Sequence, residues 1–187
     1  MKITVALTGA SGVKYGYEVI KALVEKGIET HVIMSEWAEY VLKDETNLDK
    51  TDIARLAFKV YNNKNMNASL SSSSMLIDGM IIIPATVKTV SNIANANTSN
   101  LITRAADIIL KMRRPLIIGI RETPLSPPCL QNLYKLASYG ATILPLSPGF
   151  YHKPKNIQDL YDFITGKVLD CLNIPNKKYH RWGENEE

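Results

Sequence analysis

Several points along the chain combine small, hydroxyl or charged residues in patterns suited to holding an anion or moving a proton. The first is Gly9-Ala10-Ser11-Gly12, set between an apolar, β-rich run over 2–8 and a helical pattern over 13–26. Glycine permits a sharp turn and close approach of a ligand to the backbone. A helix N-terminus offers unpaired N–H groups and about half a positive charge, which suit a phosphate. Ser11 can cap the helix or touch the ligand. A plain strand-to-helix turn with a serine cap explains the same residues, and the dinucleotide fingerprint G-x-G-x-x-G is absent, so both readings stay open here. Ser35 follows a second apolar run, and Ala85-Thr86-Val87-Lys88-Thr89 follows a third. Both repeat the logic of hydroxyls at the carboxyl end of a strand, where open α/β sheets bind ligands. A fourth run ends in Arg121-Glu122. Arg104, Asp107 and Lys111 fall at i, i+3 and i+7, away from Ile102, Ala105, Ala106, Ile109 and Met112. Two cations steadied by Asp107 suit an anion; a solvated salt-bridge ladder worth about 0.3–0.5 kcal/mol per pair fits the pattern as well, and the pattern alone favours it.

The elements that must position these residues alternate along the chain. Strands are predicted over 2–8, 29–34, 79–84, 115–120 and 142–144. The run Gly79-Met-Ile-Ile-Ile-Pro84 is uninterrupted and apolar, as a parallel strand buried on both faces requires. Helices are predicted over 13–26, 36–42, 49–58, 85–94, 100–114, 129–138 and 157–172, with Glu45 in the loop beyond the second. The polar stretch over 62–74 ends in a serine run that reads as a mobile surface loop. Residues 145–156 form a stiff aromatic loop carrying Phe150, Tyr151 and His152, and a polar tail closes the chain. Strand–helix alternation predicts a doubly wound α/β sheet with right-handed crossovers.

Composition narrows the function. A chain of 187 residues is expected to form one domain with a real core. Its formal charge of +4 slightly favours small anions. No basic stripe interleaved with aromatics suggests nucleic acid. No apolar run approaches a membrane span, and no signal-peptide pattern opens the sequence, so a cytoplasmic protein is expected. Cys129 and Cys171 lack metal-type spacing and read as reduced thiols, and the three histidines are scattered, so no metal site is expected.

Five motifs then occur in order: Thr8-Gly-Ala-Ser-Gly-x-x-Tyr-Gly16, Asn100-Leu-Ile-Thr-Arg-Ala-Ala-Asp-x-x-Leu-Lys-x-Arg-Arg-Pro115, Arg121-Glu-Thr-Pro-Leu125, Pro148-Gly-Phe-Tyr-His152 and Arg181-Trp-Gly-Glu184. Together they resemble the UbiX/Pad-type flavin prenyltransferases over nearly the whole chain. The resemblance implies a flavodoxin-like or Rossmann-like three-layer sandwich with a mainly parallel sheet, assembled as a homo-oligomer, often a dodecamer. It implies binding of reduced FMN and metal-independent transfer of a dimethylallyl group from dimethylallyl phosphate, first to N5 and then to C6 of the flavin. The prenylated product serves a UbiD-type decarboxylase. The family's flavin contacts fall on Gly9, Ala10, Ser11, Ser35, Thr86, Val87, Lys88, Thr89 and Arg121. Its prenyl-phosphate and catalytic positions fall on Ser11, Glu45, Arg104, Lys111, Glu122, Tyr151 and Lys167. Trp182, in a tail over 173–187 expected near the active site or a neighbouring subunit, matches an active-site aromatic.

Three departures stand out. Pro84-Ala85-Thr86 replaces the usual Pro-Cys-Ser but keeps a hydroxyl. Ser73 replaces a glycine of the serine loop, which would cost about 1 kcal/mol if the backbone there needs positive φ. Lys167 stands where many relatives have arginine, keeping a point charge but losing the bidentate fork. The residue types suit the chemistry: a phosphomonoester carries about −1.5 to −2 near neutral pH, and one cation about 4 Å away is worth roughly 4 kcal/mol at an effective dielectric near 20. Aromatic faces suit an allyl cation, and Glu122 suits proton transfer. Two rivals are an FMN-dependent decarboxylase of the cysteine-decarboxylase type, which would need a catalytic histidine and a Pro-x-x-x-Asn turn where Pro84 to Lys88 stand, and a non-catalytic flavin carrier.

Overall fold

The computed structural model describes residues 1–183, so Glu184 of the last motif lies outside the described residues. Six strands, β1 (Lys2–Leu7), β2 (Glu29–Met34), β3 (Lys59–Asn62), β4 (Gly79–Ala85), β5 (Leu116–Ile120) and β6 (Thr142–Pro145), form one parallel sheet in the order β3-β2-β1-β4-β5-β6. The helices are α1 (Val13–Glu25), α2 (Glu36–Glu45), α3 (Lys50–Leu56), α4 (Val87–Ala94), α5 (Leu101–Lys111), α6 (Pro127–Ser138) and α7 (Ile157–Cys171). Successive strand residues point to opposite faces. Ile3, Val5, Leu7, Ile81 and Ile83 therefore pack with α1 and α7, while Ala6, Ile33, Met80, Ile82 and Ile118 pack with α4, α5 and α6. This is the expected three-layer sandwich. Every residue of β4 is buried, as its apolar run predicted.

Several boundaries differ from the sequence expectation. α2 runs to Glu45, which is its last residue rather than part of a loop. The helix expected over 49–58 is α3 alone, capped by Asp49, and the chain turns out of it at Ala57 into β3, an unforeseen edge strand on which only Tyr61 is buried. α5 stops at Lys111, because Arg113 takes a left-handed φ of 53° and Pro115 follows. Met112, expected on the apolar side, is 43% exposed. α6 begins earlier than expected, capped by Ser126 with Pro127 in its first turn. The serine run is tied down rather than loose: Ser69–Ser71 form a 3-10 turn, Leu70 is buried, and Ser71 O accepts a hydrogen bond from Arg104 Nε at 3.1 Å. Ser73 is not among the residues with positive φ, so the strain envisaged there is absent.

Gly16 sets how closely α1 approaches the sheet. A Cβ there would lie 2.2 Å from Leu7 Cδ2 and 2.5 Å from Ile83 O, which belongs to a strand and cannot yield. Gly16→Ala should therefore push α1 off the sheet and lower stability by about 1–3 kcal/mol. A urea melt checks this as a lowered midpoint at unchanged slope.

Candidate active site

In a sheet of this order the strand direction of travel reverses between β1 and β4, and the loops there diverge to leave a crevice. β1 and β4 pair from Ile3↔Gly79 to Ala6↔Ile82, and β4's register against β5 shifts between Ile82 and Ala85. Pro84 has no N–H for the ladder. Thr8 closes the gap: its hydroxyl donates to Pro84 O at 2.7 Å and accepts from Thr86 N at 3.0 Å. Thr86 in turn caps α4, accepting from Thr89 N at 3.2 Å, and Ser35 caps α2, accepting from Ala38 N at 3.1 Å. α1 is different. Its N-cap is Gly12 at φ 88°, and no side chain caps it, so Ser11 is exposed and is not the cap. The carboxylate of Glu45 instead accepts from Gly12 N at 2.7 Å, placing an anion where the helix dipole favours one.

A cleft of about 320 Å³ opens between these turns, lined by Gly9, Ser35, Thr86, Lys88 and Thr89 among others. That is the size of a small-ligand site. Ala10, Ser11, Val87 and Arg121 are not in its lining, although Ala10 and Val87 adjoin residues that are and Ser11 sits on the same turn as Gly9. Arg121 follows β5, donates its backbone N–H to Ala85 O at 3.4 Å, and so stands beside the Thr86 turn. Its Nε is buried and has no hydrogen-bond partner among the described residues. A buried guanidinium nitrogen left unpaired at a cleft rim fits an anionic or carbonyl-bearing ligand such as FMN. Glu122 is exposed next to it; its carboxylate accepts from Thr123 N at 3.2 Å rather than pairing with Arg121. Burial, with the nearby Glu122 charge, pushes the Cys129 thiol up.

The remaining expected residues gather elsewhere in the chain. Tyr151, Lys167 and Trp182 form a second cluster around α7. Tyr151 meets Trp182 edge-on at 5.7 Å and Phe163 at 5.7 Å, and His152 stacks on Phe163 at 5.0 Å. Lys167 Nζ sits 4.8 Å from the Tyr179 ring centroid and 5.5 Å from that of Phe163. A hydrogen bond to the Tyr179 hydroxyl holds the lysine above its usual range, against the opposing effect of burial. On α5, Arg104 is fixed by Ser71 O and by Asp107 at 3.4 Å. Lys111 is separated from Arg104 by about 10 Å along the axis. It lines a different, larger cavity of about 1080 Å³ with Arg113, Arg114 and Lys135, at the amino ends of β5 and β6. One protomer therefore does not bring Lys111 to the cleft that holds Ser35 and Thr86. Among the described residues no group of histidine, cysteine or acidic side chains could hold a metal, and no helix is long and apolar enough to cross a membrane.

Sequence reasoning passed over several residues. Thr8 was visible only as the first letter of a motif, although a threonine between an apolar strand and a glycine turn is a usable signal. Asn63 accepts from Ile102 N at 2.9 Å with its side chain and from Leu101 N at 2.9 Å with its carbonyl, seating α5 on the end of β3. With β3 itself unforeseen, nothing marked Asn63. Trp37 and Asn92 also line the cleft.

A Flavoprotein family profile matches residues 1–169. A curated flavin prenyltransferase UbiX from Methanocaldococcus jannaschii is 42% identical over 183 residues, covering 98% of this chain and 99% of its own. The crystal structure of AnUbiX (PadA1) in complex with FMN and dimethylallyl pyrophosphate matches with a TM-score of 0.95 at 41% identity, covering 97% of each chain. That of a dodecameric FMN-dependent UbiX-like decarboxylase from Escherichia coli O157:H7 matches with a TM-score of 0.95 at 37% identity, covering 97% of this chain and 99% of the other.

The Thr8 bridge is directly testable. Thr8→Val keeps the shape but leaves Pro84 O and Thr86 N unpaired, and should cost about 1–3 kcal/mol. FMN affinity should fall with it, because the Thr86 turn loses its tether. Parallel thermal melts with and without FMN measure both effects.

Proposed function

We propose that this chain, which belongs to the Flavoprotein family and within it to the UbiX-type flavin prenyltransferases, transfers a dimethylallyl group from dimethylallyl phosphate to reduced FMN. The observation that carries the reading is the cleft at the β1/β4 switch point, with its hydroxyl-capped turns and the unpartnered Arg121 Nε beside it. Ser35, Thr86, Lys88, Thr89 and Arg121 would hold FMN there, with the glycine turn over 9–12 closing one side. FMN, when bound and reduced, supplies the nucleophilic ring atoms that accept the prenyl group.

The chain's own groups supply the rest. Glu122, exposed at the rim, moves a proton. Ser11 stands free on the glycine turn, and Glu45 fixes that turn through Gly12. Arg104, Lys111 and Lys167 balance charge on the departing phosphate in place of a metal ion, and the faces of Tyr151 and Trp182 stabilise the positive allyl fragment. What supports a site shared between subunits is that α5 carries Lys111 to the opposite edge of the sheet from the cleft. A second copy of the chain would then present Arg104 and Lys111 to the first copy's flavin, in a closed homo-oligomer such as a dodecamer. The prenylated flavin would serve a UbiD-type decarboxylase in the cytoplasm, a setting consistent with the free Cys129 and Cys171.

Two variants test this. Lys111→Ala and Glu122→Gln should each keep FMN but lose prenyl transfer at least about a hundredfold, read as the mass of the flavin product. Wild-type turnover in either variant removes that residue from the mechanism. If the two residues meet across an interface, refolding an equal mixture of the two variants rebuilds sites with both native groups, restoring about a quarter of native activity. A site within one chain predicts no recovery on mixing.

A further inference from the structure

The last described stretch of the chain turns back along α7 and is held there at two carboxylates: Lys178 Nζ meets Asp162 Oδ1 at 3.2 Å, and Asp170 gathers the other donors. Asp170 accepts both arms of the Arg181 guanidinium, Nη2 to Oδ1 at 2.7 Å and Nη1 to Oδ2 at 3.1 Å. It also accepts the Tyr179 hydroxyl at 2.7 Å and Asn176 Nδ2 at 2.8 Å. A bidentate guanidinium pair fixes direction as well as distance. An isolated exposed ion pair would contribute little. Here one carboxylate gathers donors from six, nine and eleven residues further along the chain, which makes a network rather than a pair. Burial pulls the Asp170 carboxyl upward, and the bonds from Arg181, Tyr179 and Asn176 outweigh it and hold it below its usual range. Gly166, one turn earlier on α7, leaves the room the tail needs: a Cβ there would lie 2.4 Å from Tyr179 Cδ1 and 3.0 Å from Asn176 Oδ1.

Two groups depend on this anchored tail. Tyr179 lies with its ring under the Lys167 ammonium, 4.8 Å from Nζ to the ring centroid. Trp182, one residue past Arg181, meets Tyr151 edge-on at 5.7 Å while remaining 80% exposed. Trp182 thus has little burial of its own to keep it in place, and its position follows from the residue before it.

We propose that Asp170 is a positioning residue for the prenyl donor: through Arg181 and Tyr179 it anchors the C-terminal tail, fixing Lys167 and keeping Trp182 against Tyr151. The proposal rests on the assignment of Lys167, Tyr151 and Trp182 to the donor. An asparagine at position 170 would keep the shape but has one acceptor oxygen, and its NH2 would oppose the guanidinium, so the fork cannot form.

The test uses the full assembled protein as Asp170→Asn and Arg181→Gln, with Lys167→Met as reference. Amide hydrogen exchange over residues 173–183 should quicken about tenfold in both latch variants. KM for dimethylallyl phosphate should rise about tenfold, while FMN affinity stays within about twofold of native. A tail that exchanges at the native rate in Arg181→Gln overturns the proposal, as does a loosened tail with an unchanged donor KM. Arg181→Gln decides alone if Asp170→Asn does not fold. Native kinetics in Lys167→Met would overturn the donor assignment and the proposal with it; a disabled Lys167→Met beside native-like latch variants would overturn the proposal alone.

Discussion

A proline in a central strand is the constraint around which the ligand edge of this protein is built. β4 lies between β1 and β5 and is buried throughout, yet Pro84 cannot donate to either neighbour. Regular pairing with β1 ends at Ile82, and beyond it the sheet opens. An opening in the middle of a sheet would leave Pro84 O and Thr86 N buried and unpaired, which is costly. The single hydroxyl of Thr8 serves both, as donor to one and acceptor from the other. The sheet can therefore part at its switch point without losing its backbone bonds. The glycine turn, the Thr86 cap and Arg121 are all placed by strands or loops that meet at that seam.

The resulting site is distributed. The turns after β1, β2 and β4 make a cleft whose polar groups are mostly short and neutral, suited to embracing a flavin by shape and hydrogen bonds. The mobile charge of the reaction, a phosphate leaving an allyl group, calls for cations, and these lie on α5 and α7. α5 is seated at one end by Asn63 and at the other releases Lys111 beside Arg113 and Arg114, at the edge of the sheet away from the cleft. Under the proposed shared site, a second copy of the chain would bring these cations to the flavin.

The sheet was legible because its strands are unbroken apolar runs bounded by glycine, serine or charged residues, and the helices because their apolar positions recur at 3.6. The turn bearing Ser35 was legible as a cap because a hydroxyl directly before a helical pattern has one common use, whereas Thr86 was legible only as a hydroxyl at the carboxyl end of a strand. β3 was not legible: four residues with one buried side chain carry almost no period, and the helical pattern before it runs into it. Whether Ser11 caps α1 stayed open in the sequence, because a distant carboxylate, Glu45, does part of that work, and no local pattern announces a partner 33 residues away. The wide separation of Lys111 from the cleft was hidden for a similar reason. Spacing on a helix says which residues share a face, not which edge of the sheet that face reaches.

Lys167 shows how a lost geometry can be made good by its surroundings. Arginine at this place would bring its own planar fork, so that direction is built into the side chain. Lysine brings a point charge on a flexible stem and needs something else to aim it. Here the ammonium lies 5.5 Å from the ring centroid of Phe163 and 4.8 Å from that of Tyr179, and such faces attract a cation. Phe163 is in turn packed by His152 and Tyr151, and Tyr179 by Gly166. The orientation that arginine would carry within one side chain is thus spread over an aromatic platform and a tail residue. That platform is only as rigid as the contact between the tail and α7, which ties the aim of a lysine on the helix to residues at the far end of the chain.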